Sequence, residues 1–89
     1  MRRAAKVDAN QQQIVKALRK VGASVQSLAA IGDGCPDLAV GYRGKNLLLE
    51  VKQPKGKLTE DQEKFHREWK GDLCVVRSVD EALLLLGIP

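Results

Sequence analysis

The sequence predicts an α/β domain, a mixed β-sheet flanked by helices in the order α-β-β-β-α-β-α. Three observations predict it. Apolar side chains recur at helical spacing within residues 8–22. Two apolar runs, Pro36 to Tyr42 and Leu47 to Lys52, bracket a stretch with turn chemistry. Capping-box signatures at Thr59 and Ser78 open helices on either side of a short apolar run, Leu73 to Val76.

The first helix begins with Asp8 as N-cap and Gln11 as its box partner. Ile14, Leu18 and Val21, with Ala17, form its apolar stripe, while Lys16, Arg19 and Lys20 lie off it. Gly22 is placed to stop it. The polar Asn10, Gln12 and Gln13 can reach toward a site on the sheet. Ser24-Val25-Gln26-Ser27-Leu28 reads as the first strand, and Gly32-Asp33-Gly34 as a turn, either an ordinary tight one or one whose glycines let a phosphate backbone come close.

The central hairpin carries the chemistry. Its strands run Pro36 to Tyr42 and Leu47 to Lys52, with Arg43-Gly44-Lys45-Asn46 between them. Asp37, Glu50 and Lys52 break its apolar pattern, and charges in buried strands are costly unless paired or bound to metal. A glycine-first turn at Gly44-Lys45 would pair Tyr42 with Leu47, Ala39 with Glu50, and Asp37 with Lys52. A two- or four-residue loop brings the three charges to one face, whereas a three-residue loop does not. Two carboxylates and an ammonium so placed suit Mg²⁺ or Mn²⁺, with Asp37, Glu50 and the Val51 backbone carbonyl as ligands. Such an ion polarises a phosphate and acidifies a water. Lys52 would then steady the nucleophile and the transition state. An ordinary surface hairpin with a Glu–Lys pair is the competing reading of the spacing.

Beyond Lys52, Gln53-Pro54-Lys55-Gly56-Lys57 is a basic loop, with Pro54 ending the strand. In the helix opened by Thr59, Gln62 completes the capping box and shares one side with Phe65, His66 and Trp69. Phe65 and Trp69 read as core, and Gly71 as the stop. The last helix holds four consecutive leucines that cannot all face inward, so part of it would cover the core or meet a second subunit.

Pro36-Asp37, twelve further residues and then Glu50-Val51-Lys52 resemble the PD-(D/E)XK nuclease signature. Extended through Gly34-Cys35 before it and Leu58-Thr59-Glu60-Asp61-Gln62 after it, the string is similar to the virus-type replication-repair nuclease (VRR-NUC) domain, most of all its small stand-alone phage versions. The resemblance spans nearly the whole chain. It implies a restriction-endonuclease-like core and a metal-dependent endonuclease acting on DNA. Asp37, Glu50, Lys52 and Gln62 would be its catalytic residues, with Gln62 orienting the attacking water or a phosphate. It further implies a homodimer that resolves four-way (Holliday) junctions. A monomer nicking flaps or single strands, and a non-catalytic DNA-binding module, are the alternatives. Many such nucleases carry a glutamate on the first helix. Here no Glu precedes Glu50, and Gln13 stands where it would be expected.

Length, charge and cysteine content agree with this class. Eighty-nine residues make one domain, 1–89, and 44% hydrophobic with 29% charged residues marks a globular chain. Residues 1–57 carry eleven Lys/Arg against four Asp/Glu, and residues 58–89 carry four against seven. The basic excess thus accompanies the proposed site and favours a polyanion. Arg2, Arg3, Lys6, Arg43, Lys45, Lys55 and Lys57 are the candidate DNA contacts. With 3% aromatic residues, backbone contacts are favoured over base stacking. No run suggests a membrane span or a signal peptide, and no motif an organic cofactor. The expected location is intracellular and cytoplasmic, in a bacterial host cell if the chain is phage-encoded. Cys35 and Cys74 have no zinc-site spacing and read as small buried hydrophobes, with a disulfide possible on paper. A Cys35 nucleophile assisted by His66 lacks any spacing to support it.

Overall fold

The computed structural model of the chain describes residues 9–89. It runs α1 (Ala9–Lys20), β1 (Ser24–Ser27), β2 (Leu38–Tyr42), β3 (Lys45–Val51), α2 (Glu60–Glu68), β4 (Leu73–Val76) and α3 (Val79–Leu85), the predicted order. The proposed Asp8 cap and the contacts assigned to Arg2, Arg3 and Lys6 lie outside the described residues. The sheet order is β1-β2-β3-β4, antiparallel for the first three strands and parallel between β3 and β4. That last pairing needs a crossover, which the segment containing α2 provides.

Strand alternation decides where the core sits. Leu38 and Val40 on β2 share a face with Leu49 and Val51 on β3 and Val76 on β4. Ile14 and Leu18 of α1 and Ala82 of α3 close over them. Each large apolar side chain buried this way contributes about 1.5–3 kcal/mol. At the end of α1 the chain turns through Gly22 (φ 96°), and the Ala23 N–H donates to the Leu18 carbonyl at 3.0 Å. Helix α2 lies apart from this core and contributes no buried residue. Among the described residues, no helix is long and apolar enough to cross a membrane.

The hairpin differs in detail from the expected one. Tyr42 pairs with Lys45, so the loop is the two residues Arg43-Gly44, not Gly44-Lys45. Both have positive φ (52° and 81°), which suits the right-handed strand twist. The pairing slips by two residues from the expected register, an even shift that leaves every side chain on its expected face. Continued one step past β2, it sets Asp37 opposite Glu50 instead of Lys52.

Two further expectations are corrected. Trp69 is 46% exposed instead of buried, stacked on the half-buried Phe65 with ring centroids 5.2 Å apart. The helix ends at Glu68 and Trp69 takes extended backbone angles (φ −73°, ψ 132°), so its ring leaves the stripe that the helical spacing assumed. The Ser78 box is altered too. Ser78 accepts from the Glu81 N–H as expected, but Glu81 turns to the N–H of Arg77, one residue earlier than Ser78. The leucine run divides as expected, with Leu84 66% exposed. Cys35 and Cys74 are free thiols, each half-buried.

Gly34 fastens α2 in place. It has φ 77°, and a Cβ there would lie 2.4 Å from the Asp61 carbonyl oxygen. Gly32 has a similar φ (76°) but open space around it. Gly34→Ala should therefore lose more stability in urea unfolding than Gly32→Ala, whose cost is backbone strain alone, on the order of 1 kcal/mol. Equal losses would show that close packing of α2 on this turn is unimportant.

Candidate active site

The site forms where β2 begins and β3 ends, on the sheet face turned away from α1 and α3. Asp37 enters β2 behind the buried Pro36, and its carbonyl accepts from the Leu28 N–H at 2.8 Å. Its Oδ2 accepts from the Val51 N–H, also at 2.8 Å. Within a strand the N–H and C=O of one residue point to the same side, so the Val51 carbonyl faces the Asp37 side as well. Glu50 stands across from Asp37 and is 1% exposed.

Gln62 reaches this pair from α2. Its Oε1 accepts from the Thr59 N–H at 2.9 Å, while its own N–H donates to Thr59 Oγ1 at 3.2 Å. The capping box thereby fixes the amide, and Nε2 donates to Glu50 Oε2 at 3.3 Å. Helix cap and site contact are thus made by one side chain. The other Glu50 oxygen, Oε1, is buried and meets no hydrogen-bond donor among the described residues, so a proton shared with Asp37 or a cation is what can satisfy it.

Electrostatics follow from this crowding. Burial first, then the hydrogen bond and the negative charge of Asp37, push the Glu50 carboxyl up to about 8, with Lys52 opposing the rise. Burial first, then Lys52, holds the His66 imidazole below its ordinary value, and its Nε2 is buried without a partner among the described residues. Burial, then Glu50 and Asp37, raises the Cys35 thiol. A cysteine nucleophile needs the opposite shift, so the Cys35–His66 alternative loses its chemical basis.

The remaining predicted site residues are distributed unevenly. Lys52 is half-buried beside the pair, and its N–H donates to the Val76 carbonyl at 3.0 Å. Lys55 and Lys57 are exposed on the loop that follows. Arg43 and Lys45 lie at the far end of the hairpin, about 17 Å from Glu50 for five strand steps. There the Arg43 guanidinium sits 5.3 Å from the centre of the Tyr42 ring. Gln13 is exposed on α1, and Asn10 is the α1 side chain that reaches the end of β3.

Sequence reasoning named Asn10 only in passing and missed Arg77, whose Nη2 donates to the Gly56 carbonyl at 3.0 Å and pins the basic loop. Asn10 had a usable signal. It precedes Ile14 and Leu18 at four-residue spacing, a polar side chain on a buried stripe. Arg77 carried none.

Glu50 also predicts a pH dependence. Its folded value lies above its ordinary 4.5, so the fold binds that proton more tightly than the unfolded chain. The resulting stability is fully present below pH 4.5 and lost as pH rises through about 8. With EDTA present, wild-type Tm should fall relative to that of Glu50→Gln across this window. A difference that stays constant would contradict the buried, proton-sharing pair.

No family model matches the sequence, and no curated protein matches it either. Among solved structures, a VRR_NUC domain superimposes with a TM-score of 0.70 at 26% identity, covering 90% of this chain and 97% of its own. The fold of the chain is thus similar to that of a VRR_NUC domain over nearly the whole length of both.

Proposed function

We propose that this chain is a metal-dependent endonuclease of the PD-(D/E)XK type, hydrolysing phosphodiester bonds in DNA. The observation that carries the reading is the buried Glu50 beside the half-buried Asp37, with one Glu50 oxygen unsatisfied, on a fold shared with a VRR_NUC domain. Two carboxyl groups this close, one nearly sealed from water, call for a proton or a cation between them. Mg²⁺ or Mn²⁺ fits, since hard ions take carboxylate and carbonyl oxygens and keep several waters. Among the described residues no three His, Cys, Asp or Glu side chains converge as a cage. Asp37, Glu50 and the Val51 carbonyl are the oxygens that would hold the ion, with water completing its shell.

When bound, such an ion supplies Lewis-acid polarisation of the scissile phosphate and a more acidic water. The protein's own groups do the rest. Gln62, fixed by its capping box, offers an amide to orient the water or a phosphate oxygen. Lys52 brings an ammonium to the face where negative charge develops. Lys55 and Lys57 flank it, and Arg43 and Lys45 offer a second contact one hairpin length away.

A homodimer acting on branched DNA, four-way junctions in particular, extends the reading. Paired nicks need two sites, and the exposed Leu84 and Leu85 of α3 provide apolar surface for a subunit contact.

End-labelled junction, flap and linear DNA incubated with Mg²⁺, Mn²⁺ or EDTA tests this directly. Cleavage should require the metal and favour the junction. Asp37→Asn and Glu50→Gln should abolish it, and Lys52→Ala should slow it about 10²–10³-fold while DNA binding in EDTA is retained. No cutting of any substrate in either metal would overturn the enzyme reading, as would wild-type turnover by Lys52→Ala for the role of that lysine. Flap cutting by a species of monomer mass would overturn the junction reading alone.

A further inference from the structure

We propose that Asn10 is a positioning residue for Lys52, replacing a rung of the sheet that β4 does not supply. The proposal rests on the role assigned to Lys52 above. β3 and β4 pair in parallel with Val51 opposite Val76, and the last rung runs from the Lys52 N–H to the Val76 carbonyl. In an evenly spaced parallel ladder the next donor to the Lys52 carbonyl would be the N–H of Ser78. Ser78 is instead the N-cap of α3, where the chain leaves the sheet. The Lys52 carbonyl accepts from Asn10 Nδ2 at 2.9 Å. The same amide nitrogen donates to the Arg77 carbonyl at 3.2 Å, so both of its hydrogens bridge the ends of β3 and β4.

This clamp acts where the strand would otherwise fray. The loop after Lys52 contains Pro54, which has no N–H to extend the ladder, and its other residues through Lys57 are mostly exposed. Lys52 is thus tied through its N–H to the sheet and through its carbonyl to α1. Helix α1 is itself anchored one and two turns further on by Ile14 and Leu18, each 0% exposed. The rigidity of the core helix is thereby passed to the backbone of the residue whose ammonium must meet the reacting phosphate. A displacement of about 1 Å at such a group can cost about 100-fold in rate.

Asn10→Ala and Asn10→Asp remove the clamp, the latter at nearly constant size. Val40→Ala, on β2 in the same core, loosens the packing without altering α1 itself or touching the Lys52 carbonyl and serves as control at matched loss of Tm. Three quantities are read: single-turnover cleavage in Mg²⁺, junction binding in EDTA, and the NMR signals of the Lys52 side chain without metal. Both Asn10 variants should cleave about tenfold to a hundredfold more slowly, bind DNA within about threefold of wild type, and shift the Lys52 signals. Val40→Ala should change neither rate nor signals. A rate loss no larger than that of Val40→Ala, or unmoved Lys52 signals, would reduce Asn10 to a structural contact. If the wild type cleaves no DNA, the nuclease reading falls, and the Lys52 signals alone decide the clamp.

Discussion

A carboxylate sealed from water beside a second carboxylate must share a proton or face a cation, and the architecture around Glu50 follows from that requirement. Neither acid is placed by its own strand alone. Asp37 is held by a backbone N–H of β3 and by β1's continuation at Leu28, and Glu50 by an amide from α2. Glu50 is the costly member of the pair, since its burial is compensated only while a proton or a cation sits beside it, whereas Asp37 also satisfies the Val51 N–H. Gly34 serves the same end, since only a residue without a side chain lets α2 come close enough for Gln62 to reach Glu50.

The two faces of the sheet divide the labour. One buries the apolar stripes of α1 and α3 against Leu38, Val40, Leu49 and Val76 and supplies the stability. The other is less covered. Ser24, Gln26, Ala39, Gly41, Asn46 and Leu48 line an open cavity of about 590 Å³ that ends at Trp69. Glu50 lies on this open face yet is almost fully buried, because α2 and the turn before β2 converge over it. A polar centre sealed this far from water is dry enough for charges to act strongly.

Much of this was legible from residues alone, for identifiable reasons. Helix and strand order follow from periodicity and caps, and the Thr59–Gln62 box formed as read. The convergence of Asp37 and Glu50 on one face survived an error in the turn, because a slip of two residues preserves the side-chain alternation. Arg43-Gly44 was passed over since an arginine with positive φ has no strong sequence signature, whereas Gly44-Lys45 fitted a known preference. Trp69 misled because helical spacing was extended past the helix end. The Asn10 bridge joins positions 42 and 67 residues apart and depends on where β4 stops, which no local pattern encodes.

The account stands on a cation lying between the two acids. Diffraction from crystals soaked in Mn²⁺, recorded where manganese scatters anomalously, locates that ion without any assay of turnover. The account predicts an anomalous peak within coordination distance, about 2.0–2.2 Å, of oxygens from both Asp37 and Glu50. Crystals saturated with Mn²⁺ that leave this position empty, with Glu50 still proton-bridged to Asp37, would contradict it.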